Sequence, residues 1–187
     1  MSETALLVMD VQPSTIQRYG SDVVGPVRSA IAGARAAAVP VVYVVVGFRP
    51  GFPEISPANK TFARLRHLTE PVVGTVDPSL GARPDEVVVT KKRIGAFAGS
   101  DLGVVLRSLG AHTLVLCGIS TSGVVLTTLR HAADLDYRLV VLSDACADRD
   151  PEVHRVLLEK VFPAQAEVLT AAEWVASLRP ARGEEAS

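Results

Sequence analysis

The chain has 187 residues, of which 48% are hydrophobic and 21% charged, and its formal net charge is -1. That length suits one domain with a sizeable core, and the near-neutral charge lacks the basic surface that a nucleic-acid partner requires. Two cysteines are too few for a disulfide framework, and no apolar run is long enough to span a bilayer. The first ten residues do not resemble a signal peptide. We therefore expect a cytoplasmic single domain over residues 1–187, with a flexible tail from about residue 180.

Short apolar runs alternate with helical patterns along the whole chain. Runs rich in β-branched residues predict strands at 5–9, 39–46, 86–90, 114–116, 138–143 and 166–169. Helices are predicted to begin near Pro26, Ser100, the turn at 120–122, Asp150 and Thr170, with a further short helix over 60–68. Strands that alternate with helices in this way predict an α/β fold with helices on both faces of a parallel sheet.

The stretch 114–128 runs from a buried strand through a small-residue turn into a helix. Any of Ser120, Thr121 and Ser122 can cap that helix. The free N–H groups and helix dipole at such a turn favour negative charge, either a bound anion or a developing oxyanion. Because open α/β sheets bind their ligands at the carboxyl edge, we place the functional pocket at this turn.

Two charged residues are expected at the same edge of the sheet. Asp10 ends the first strand and Lys91 follows the third. With the first strand at the centre of the sheet, the two head groups should lie within about 8 Å, in direct or water-bridged contact. Each residue also has a plainer interpretation. Asp10 could bind the N–H groups of a neighbouring turn, and Lys91 could be a surface charge.

Four segments of this sequence resemble the isochorismatase-like hydrolase superfamily. They are LLVMDVQ (6–12), KKRIGAF with GSDL (91–102), CGISTSGVVLTT (117–128) and SDACAD (143–148). The resemblance covers nearly the whole chain and implies a three-layer αβα, Rossmann-like fold around a central, mainly parallel six-stranded sheet. It also implies a homodimer or larger homo-oligomer. In the amidohydrolase members it implies a cysteine–aspartate–lysine triad.

The triad maps onto this sequence only in part. Its aspartate falls on Asp10 and its lysine on Lys91, while the place of the cysteine is taken by Val124. A valine cannot form a covalent adduct, so cysteine-based amide hydrolysis is not expected. Some isochorismatases have a glycine at that place and cleave a vinyl ether by acid chemistry, with the aspartate as proton donor. Here the glycine, Gly123, lies one place earlier.

The predicted site therefore has two catalytic residues and a set of binding residues. Asp10 is the expected general acid or base, and Lys91 is expected to stabilise charge. The residues predicted to bind substrate or an oxyanion are Gln12, Phe97, Ser120, Thr121, Gly123 and Val124. Cys117 and Cys146 lie off the nucleophile place and are expected to be buried and inert. A hydroxyl nucleophile in the turn is disfavoured because no histidine is evidently placed to activate it.

Neither a metal nor a cofactor is predicted. The four histidines are scattered without ligand spacing, and the loop after the second strand, GFRPGFPE, has none. That loop offers Arg49 and Glu54 with two phenylalanines, which would suit either a pocket wall with one cation or a plain surface loop.

Three functions remain open from the sequence. The first is a hydrolase that acts on a small, carboxylated molecule without a covalent nucleophile. The second is a catalytically silent binding or assembly protein with the same fold, and the third is a nucleotide- or flavin-binding module. The third is the weakest, because no G-x-G-x-x-G follows any strand. A homodimer is expected mainly from the resemblance, with modest support from Ala30, Ala34, Ala36 and Ala37, since small residues favour close helix packing.

Overall fold

The computed structural model describes residues 3–68, 70 and 72–178. Its sheet has the strands Thr4–Met9 (β1), Val41–Val46 (β2), Val87–Lys91 (β3), Thr113–Ile119 (β4), Arg138–Ala147 (β5) and Glu167–Leu169 (β6). The strand order is β3-β2-β1-β4-β5-β6, and every neighbouring pair is parallel. The predicted six-stranded parallel sheet is therefore confirmed, with β1 and β4 at its centre.

The described residues form six α-helices, of which five lie between strands and the last follows β6. They are Pro13–Tyr19 (α1), Val24–Ala36 (α2), Leu102–Leu109 (α3), Leu126–Asp134 (α4), Pro151–Val156 (α5) and Ala171–Ser177 (α6). Two π-helical turns adjoin them: Thr121–Val125 precedes α4, and Leu157–Val161 follows α5.

The helices cover both faces of the sheet, because alternate residues of each strand point to opposite sides. Leu7 and Met9 of β1 pack in a core that includes residues of α3 and α4. Leu6 and Val8 pack on the other face, in a core that includes residues of α2 and α6. The result is the expected three-layer αβα arrangement.

Several local signals of the sequence act as expected. Asp150 caps α5 by accepting hydrogen bonds from the N–H groups of Glu152 and Val153. Thr170 and Glu173 form the predicted capping box at α6. Gly110 ends α3 with φ +66°, a left-handed conformation that glycine adopts without steric strain.

Other expectations were wrong in detail. The apolar spacing after Asp150 predicts a buried helix face made of Val153, Val156, Leu157 and Val161, but Val153 is 38% exposed. Leu157, expected on the same face, is buried as predicted, and Phe162, just after the π-helical turn, is buried as well. Strand β5 extends to Ala147, past the expected end at 143. The stretch 60–68 forms only a 3₁₀ turn, Ala63–His67. The predicted flexible tail lies outside the described residues.

Two of the four helix alanines, Ala30 and Ala34, do not support a dimer in the way we expected. Ala30 and Ala34 are fully buried within the chain, where they pack in the same core as Trp174 of α6. The close packing that they permit is therefore used inside the fold. Among the described residues, no helix is long and apolar enough to cross a membrane.

Candidate active site

At the carboxyl end of the sheet's centre, the backbones of β1 and β4 approach each other closely. Asp10 directly follows β1, has φ +56°, and donates its N–H to the carbonyl of Val44 at 2.8 Å. Across from it, Gly118 of β4 has φ +139°, and a Cβ at this position would lie 1.9 Å from the carbonyl oxygen of Met9. Only glycine fits there, because the backbones approach so closely. This contact fixes the start of the turn that follows β4 beside Asp10.

Lys91 forms a buried ion pair with Asp10. Its Nζ lies 2.9 Å from Asp10 Oδ2, well inside the expected 8 Å, and the lysine side chain is only 2% exposed. The same Nζ donates to the carbonyl oxygens of Arg93 and Ile94, at 2.9 and 2.8 Å. A lysine has three donors, and all three are used here. Lys91 can therefore stabilise charge on Asp10, but it has no free donor for a substrate.

The second carboxyl oxygen of Asp10 has a different environment. Oδ1 is buried and has no hydrogen-bond partner among the described residues. Burial raises the pKa of Asp10 to about 6, although the nearby Lys91 ammonium opposes the rise. The carboxyl group therefore exchanges its proton close to neutral pH, and one of its oxygens is left free to hold that proton.

Asp10 and Lys91 line a cleft of about 230 Å³, together with part of the turn after β4. Ser120, Gly123 and Val124 all contribute to its wall. Val124 is 2% exposed and also packs in the hydrophobic core that contains Leu116 and Leu129, so it gives the cleft an apolar side. The structure thus brings five of the eight predicted site residues to one cleft.

The turn uses some of the N–H groups that we expected to bind an oxyanion. The N–H groups of Gly123 and Val125 both donate to the carbonyl oxygen of Ser120, at 3.2 Å each. The Gly123 N–H is therefore engaged within the turn. The peptide bond between Ile119 and Ser120 is cis.

The other three predicted residues do not line this cleft. Gln12 instead binds the end of β2: its Oε1 accepts from the N–H of Val46 at 2.9 Å, and its Nε2 donates to the Val46 carbonyl at 3.3 Å. Phe97 stacks on His131, with 4.8 Å between ring centroids. Both side chains stabilise structure near the site without facing the cleft.

The side chain of Thr121 points away from the cleft and contacts a histidine, His154, although nothing in the sequence indicated a histidine beside the turn. Its buried Oγ1 lies 2.8 Å from Nδ1 of His154, a contact that we did not expect from the sequence. The next residue is held from the same side, because the Ser122 N–H donates to Asp148 Oδ2 at 2.6 Å. These two contacts tie the turn to the segment after β5. Thr121 is fully buried, so its hydroxyl is not available to a ligand in the cleft.

Neither cysteine lines the cleft. Cys117 is fully buried in β4, and burial raises the pKa of its thiol far above the ordinary value. Burial likewise raises the pKa of Cys146 to about 12. Both thiols are therefore protonated at neutral pH, in the unreactive form.

The loop after β2 forms a second cavity beside the first. Arg49, Glu54, Lys92 and Arg93 contribute to this cavity of about 460 Å³, and Arg49 pairs with Glu54 at 2.7 Å. The two phenylalanines of the loop pack together in a small apolar cluster with Ile55. Within the described part of the chain, no group of three potential metal ligands occurs.

The structure adds residues to the cleft that the sequence did not indicate. Thr15, Arg18 and Tyr19 come from α1, a helix that we did not predict. A signal was present, since Pro13 occupies its first turn. Thr61, Phe62 and Ile94 reach the cleft from loops, for which no sequence pattern would have been informative.

Comparisons with known proteins agree with this geometry. The chain is 32% identical to the "uncharacterized isochorismatase family protein YecD" of Escherichia coli O157:H7, over 91% of this chain and 93% of that protein. It is 35% identical to the ureidoacrylate amidohydrolase RutB of Pseudomonas syringae pv. syringae, over 80% of this chain and 73% of that one. The solved structure of an isochorismatase family protein from Burkholderia thailandensis superposes with a TM-score of 0.86 at 32% identity, covering 95% of this chain and 97% of that one.

The family assignment rests on most of the described chain. The isochorismatase domain model matches residues 4–173, a range that contains all six strands and every residue of the cleft. Together with the fold and these relatives, this match shows that the chain belongs to the isochorismatase family of hydrolases.

Proposed function

We propose that the chain hydrolyses a small, carboxylated molecule by acid catalysis, with Asp10 as the general acid and without a covalent nucleophile. The observation that carries this proposal is the state of Asp10. One of its oxygens is held by Lys91, the other is buried without a partner, and its pKa is raised to about 6. A general acid must hold its proton near the operating pH and have it available to donate, and a raised pKa with one oxygen that no described group engages suits Asp10 to that role.

A carboxylated vinyl ether is a substrate that this arrangement suits. Protonated Asp10 would donate its proton to the terminal vinyl carbon, which leaves an oxocarbenium ion. Water then adds at the cationic carbon and loses a proton to the Asp10 carboxylate. The resulting hemiketal collapses to a ketone and an alcohol. Lys91 lies 2.9 Å from the carboxylate that forms in the first step and would stabilise its charge.

Val124 supports a route without covalent catalysis. We propose that it occupies the place of the family's cysteine, because it lines the same cleft as Asp10 and Lys91. An apolar side chain there excludes water from Asp10 and favours its protonated form. A thiol at that position could instead attack a carbonyl carbon, as amide hydrolysis requires.

The test compares the wild-type protein with Val124→Cys on two substrate panels. If acid catalysis is the native chemistry, the wild type turns over carboxylated vinyl ethers, and Val124→Cys gains no amidase activity. Turnover would be followed by nuclear magnetic resonance, with Val124→Ala as the control for a change of volume alone. Clear amidase activity in Val124→Cys, with no vinyl-ether activity in the wild type, would show that the site is arranged for a missing thiol.

That second outcome corresponds to the alternative function, a silent binding protein that keeps the pocket. The observation that favours it is the same apolar residue, Val124, in a cleft that otherwise carries the charged pair.

A homodimer also stays a prediction. Sedimentation well above micromolar concentration would contradict it if only a species of the chain mass, 19.7 kDa, were seen.

A further inference from the structure

Arg18 lies on α1 and lines the same cleft as Asp10, but at a different depth. The Asp10 carboxyl group is buried, with only 8% of the residue exposed, whereas Arg18 is exposed to solvent. The cleft therefore has an acid at its floor and a guanidinium group at its rim. A ligand that fills the space can contact both groups at once.

The other cations of this region are already engaged. Lys91 uses its three donors on Asp10 and two backbone carbonyls. In the neighbouring cavity, Lys92 donates to the carbonyl of Gly47, and Arg93 donates to two further carbonyl oxygens. Arg18, by contrast, forms no hydrogen bond or ion pair with any described residue. Its guanidinium donors are free for a ligand.

The charge balance of the cleft points to an anionic ligand. Asp10, Lys91 and Arg18 are its charged lining residues within the described chain. The first two compensate each other as an ion pair, so that the charge of Arg18 remains. When Asp10 is protonated, as acid catalysis requires, the excess positive charge becomes larger. An anionic substrate would compensate that charge and would be attracted to the cleft.

We propose that Arg18 binds the carboxylate of the substrate and so selects carboxylated over neutral molecules. The planar guanidinium group presents paired donors that match the two oxygens of a carboxylate. The remainder of the molecule then extends inward, between Val124 and Ile94, towards the free oxygen of Asp10. The inference rests on the proposed function only in that both use the same cleft.

The test measures binding, so that it does not depend on turnover. The probes are propanoate, 2-methoxypropanoate and benzoate, each paired with its neutral methyl ester, and binding is followed by nuclear magnetic resonance titration. The variants are Arg18→Gln, which removes the charge, and Arg18→Lys, which keeps it without the paired donors. Arg28→Gln is the matched control, because Arg28 is also an exposed helical arginine and lies on α2, away from the cleft.

We expect the wild type to prefer at least one acid over its ester by roughly tenfold, the size expected of a charge-assisted hydrogen bond at a partly solvated site. Arg18→Gln should lose this preference, Arg18→Lys should keep part of it, and Arg28→Gln should keep it all. Added salt should weaken the preference in the wild type. If the wild type binds all acids and esters equally, or Arg18→Gln keeps the full preference, the inference is wrong.

The Asp10→Asn variant separates this inference from the proposed function. It should keep the preference for the acid probes, because Arg18 is intact, even though turnover is lost. If Asp10→Asn keeps full turnover while Arg18→Gln loses the acid preference, the acid-catalysis proposal fails and the carboxylate site stands. If instead Asp10→Asn loses turnover while Arg18→Gln keeps the full acid preference, the catalytic proposal stands and Arg18 is not the carboxylate site.

Discussion

Asp10 and Glu86 are two of the ion-paired carboxylates in this molecule, and they differ in how many hydrogen bonds their oxygens accept. Asp10, at the carboxyl edge of the sheet, accepts from Lys91 on one oxygen and has no partner on the other among the described residues. Glu86 precedes β3 at the opposite edge. Its Oε1 accepts from Arg35 Nε at 2.8 Å, and its Oε2 accepts from Arg35 Nη2, Tyr43 Oη and the N–H of Arg83.

The difference in hydrogen bonding shifts the pKa values of the two acids in opposite directions. Burial raises the pKa of Asp10 to about 6, and a single cation only partly opposes the rise. Burial also acts to raise the pKa of Glu86, but the hydrogen bonds from Arg35, Arg83 and Tyr43 outweigh it and hold that pKa below the ordinary value. A fully satisfied carboxylate therefore stabilises the fold, whereas a buried one with a free oxygen is suited to proton transfer.

The largest effect should come from Asp10→Asn. An amide of the same shape keeps the contact with Lys91 but cannot donate a proton in the same way. We expect the turnover of a carboxylated vinyl ether to fall by about 10²- to 10⁴-fold, the range typical of a lost general acid. In the wild type, kcat/KM should fall about tenfold per pH unit above about 6, where Asp10 loses its proton. Unchanged turnover in the variant would contradict the assignment.

Glu86→Gln should instead reduce stability and leave turnover unchanged. It removes the charge that Arg35 binds through two oxygens, and Arg35 is only 21% exposed. We expect a loss of about 1–3 kcal/mol in the free energy of unfolding, measured by urea denaturation at pH 7. Glu167→Gln, an exposed glutamate of β6, is the control and should change little.

The pH dependence of stability sharpens the same contrast. Folding lowers the pKa of Glu86. Its contribution to the free energy of unfolding is therefore present above the ordinary pKa of 4.5 and is lost as the pH falls through the folded pKa. The pKa of Asp10 is raised, so the folded state binds its proton more tightly and stability decreases as the pH rises from about 4 to about 6. In Glu86→Gln, the free energy of unfolding should therefore decrease less as the pH falls below 4.5. A loss that stays unchanged would show that Glu86 does not stabilise the fold in this way.

The fold and the centre of the cleft could be predicted because both follow from local patterns. Alternating strands and helices indicate a parallel sheet, and residues that end parallel strands share one edge. This reasoning placed Asp10, Lys91 and Val124 together. It did not place Phe97, because a motif gives the position of a residue and not the direction of its side chain. Phe97 turns to stack on His131.

The contacts that the sequence could not indicate are long-range or lie on weakly patterned elements. The hydrogen bond between Thr121 and His154 joins residues 33 positions apart and depends on how the segment after β5 returns to the turn. Helix α1 has seven residues and no buried side chain, so no apolar stripe marked it or its Arg18. Such positions are set by tertiary packing.

The central claim, that Asp10 and Glu86 differ as acids, can be tested by one titration of both carboxyl groups. Carbon-13 resonances of the aspartate and glutamate carboxyls would be followed from pH 3 to pH 8, with Asp10→Asn and Glu86→Gln used to assign the two signals. We predict a midpoint of about 6 for Asp10 and a midpoint below 4.5 for Glu86. A midpoint for Asp10 at or below its ordinary value of 3.8 would contradict the claim, because the group would then hold no proton to donate near neutral pH.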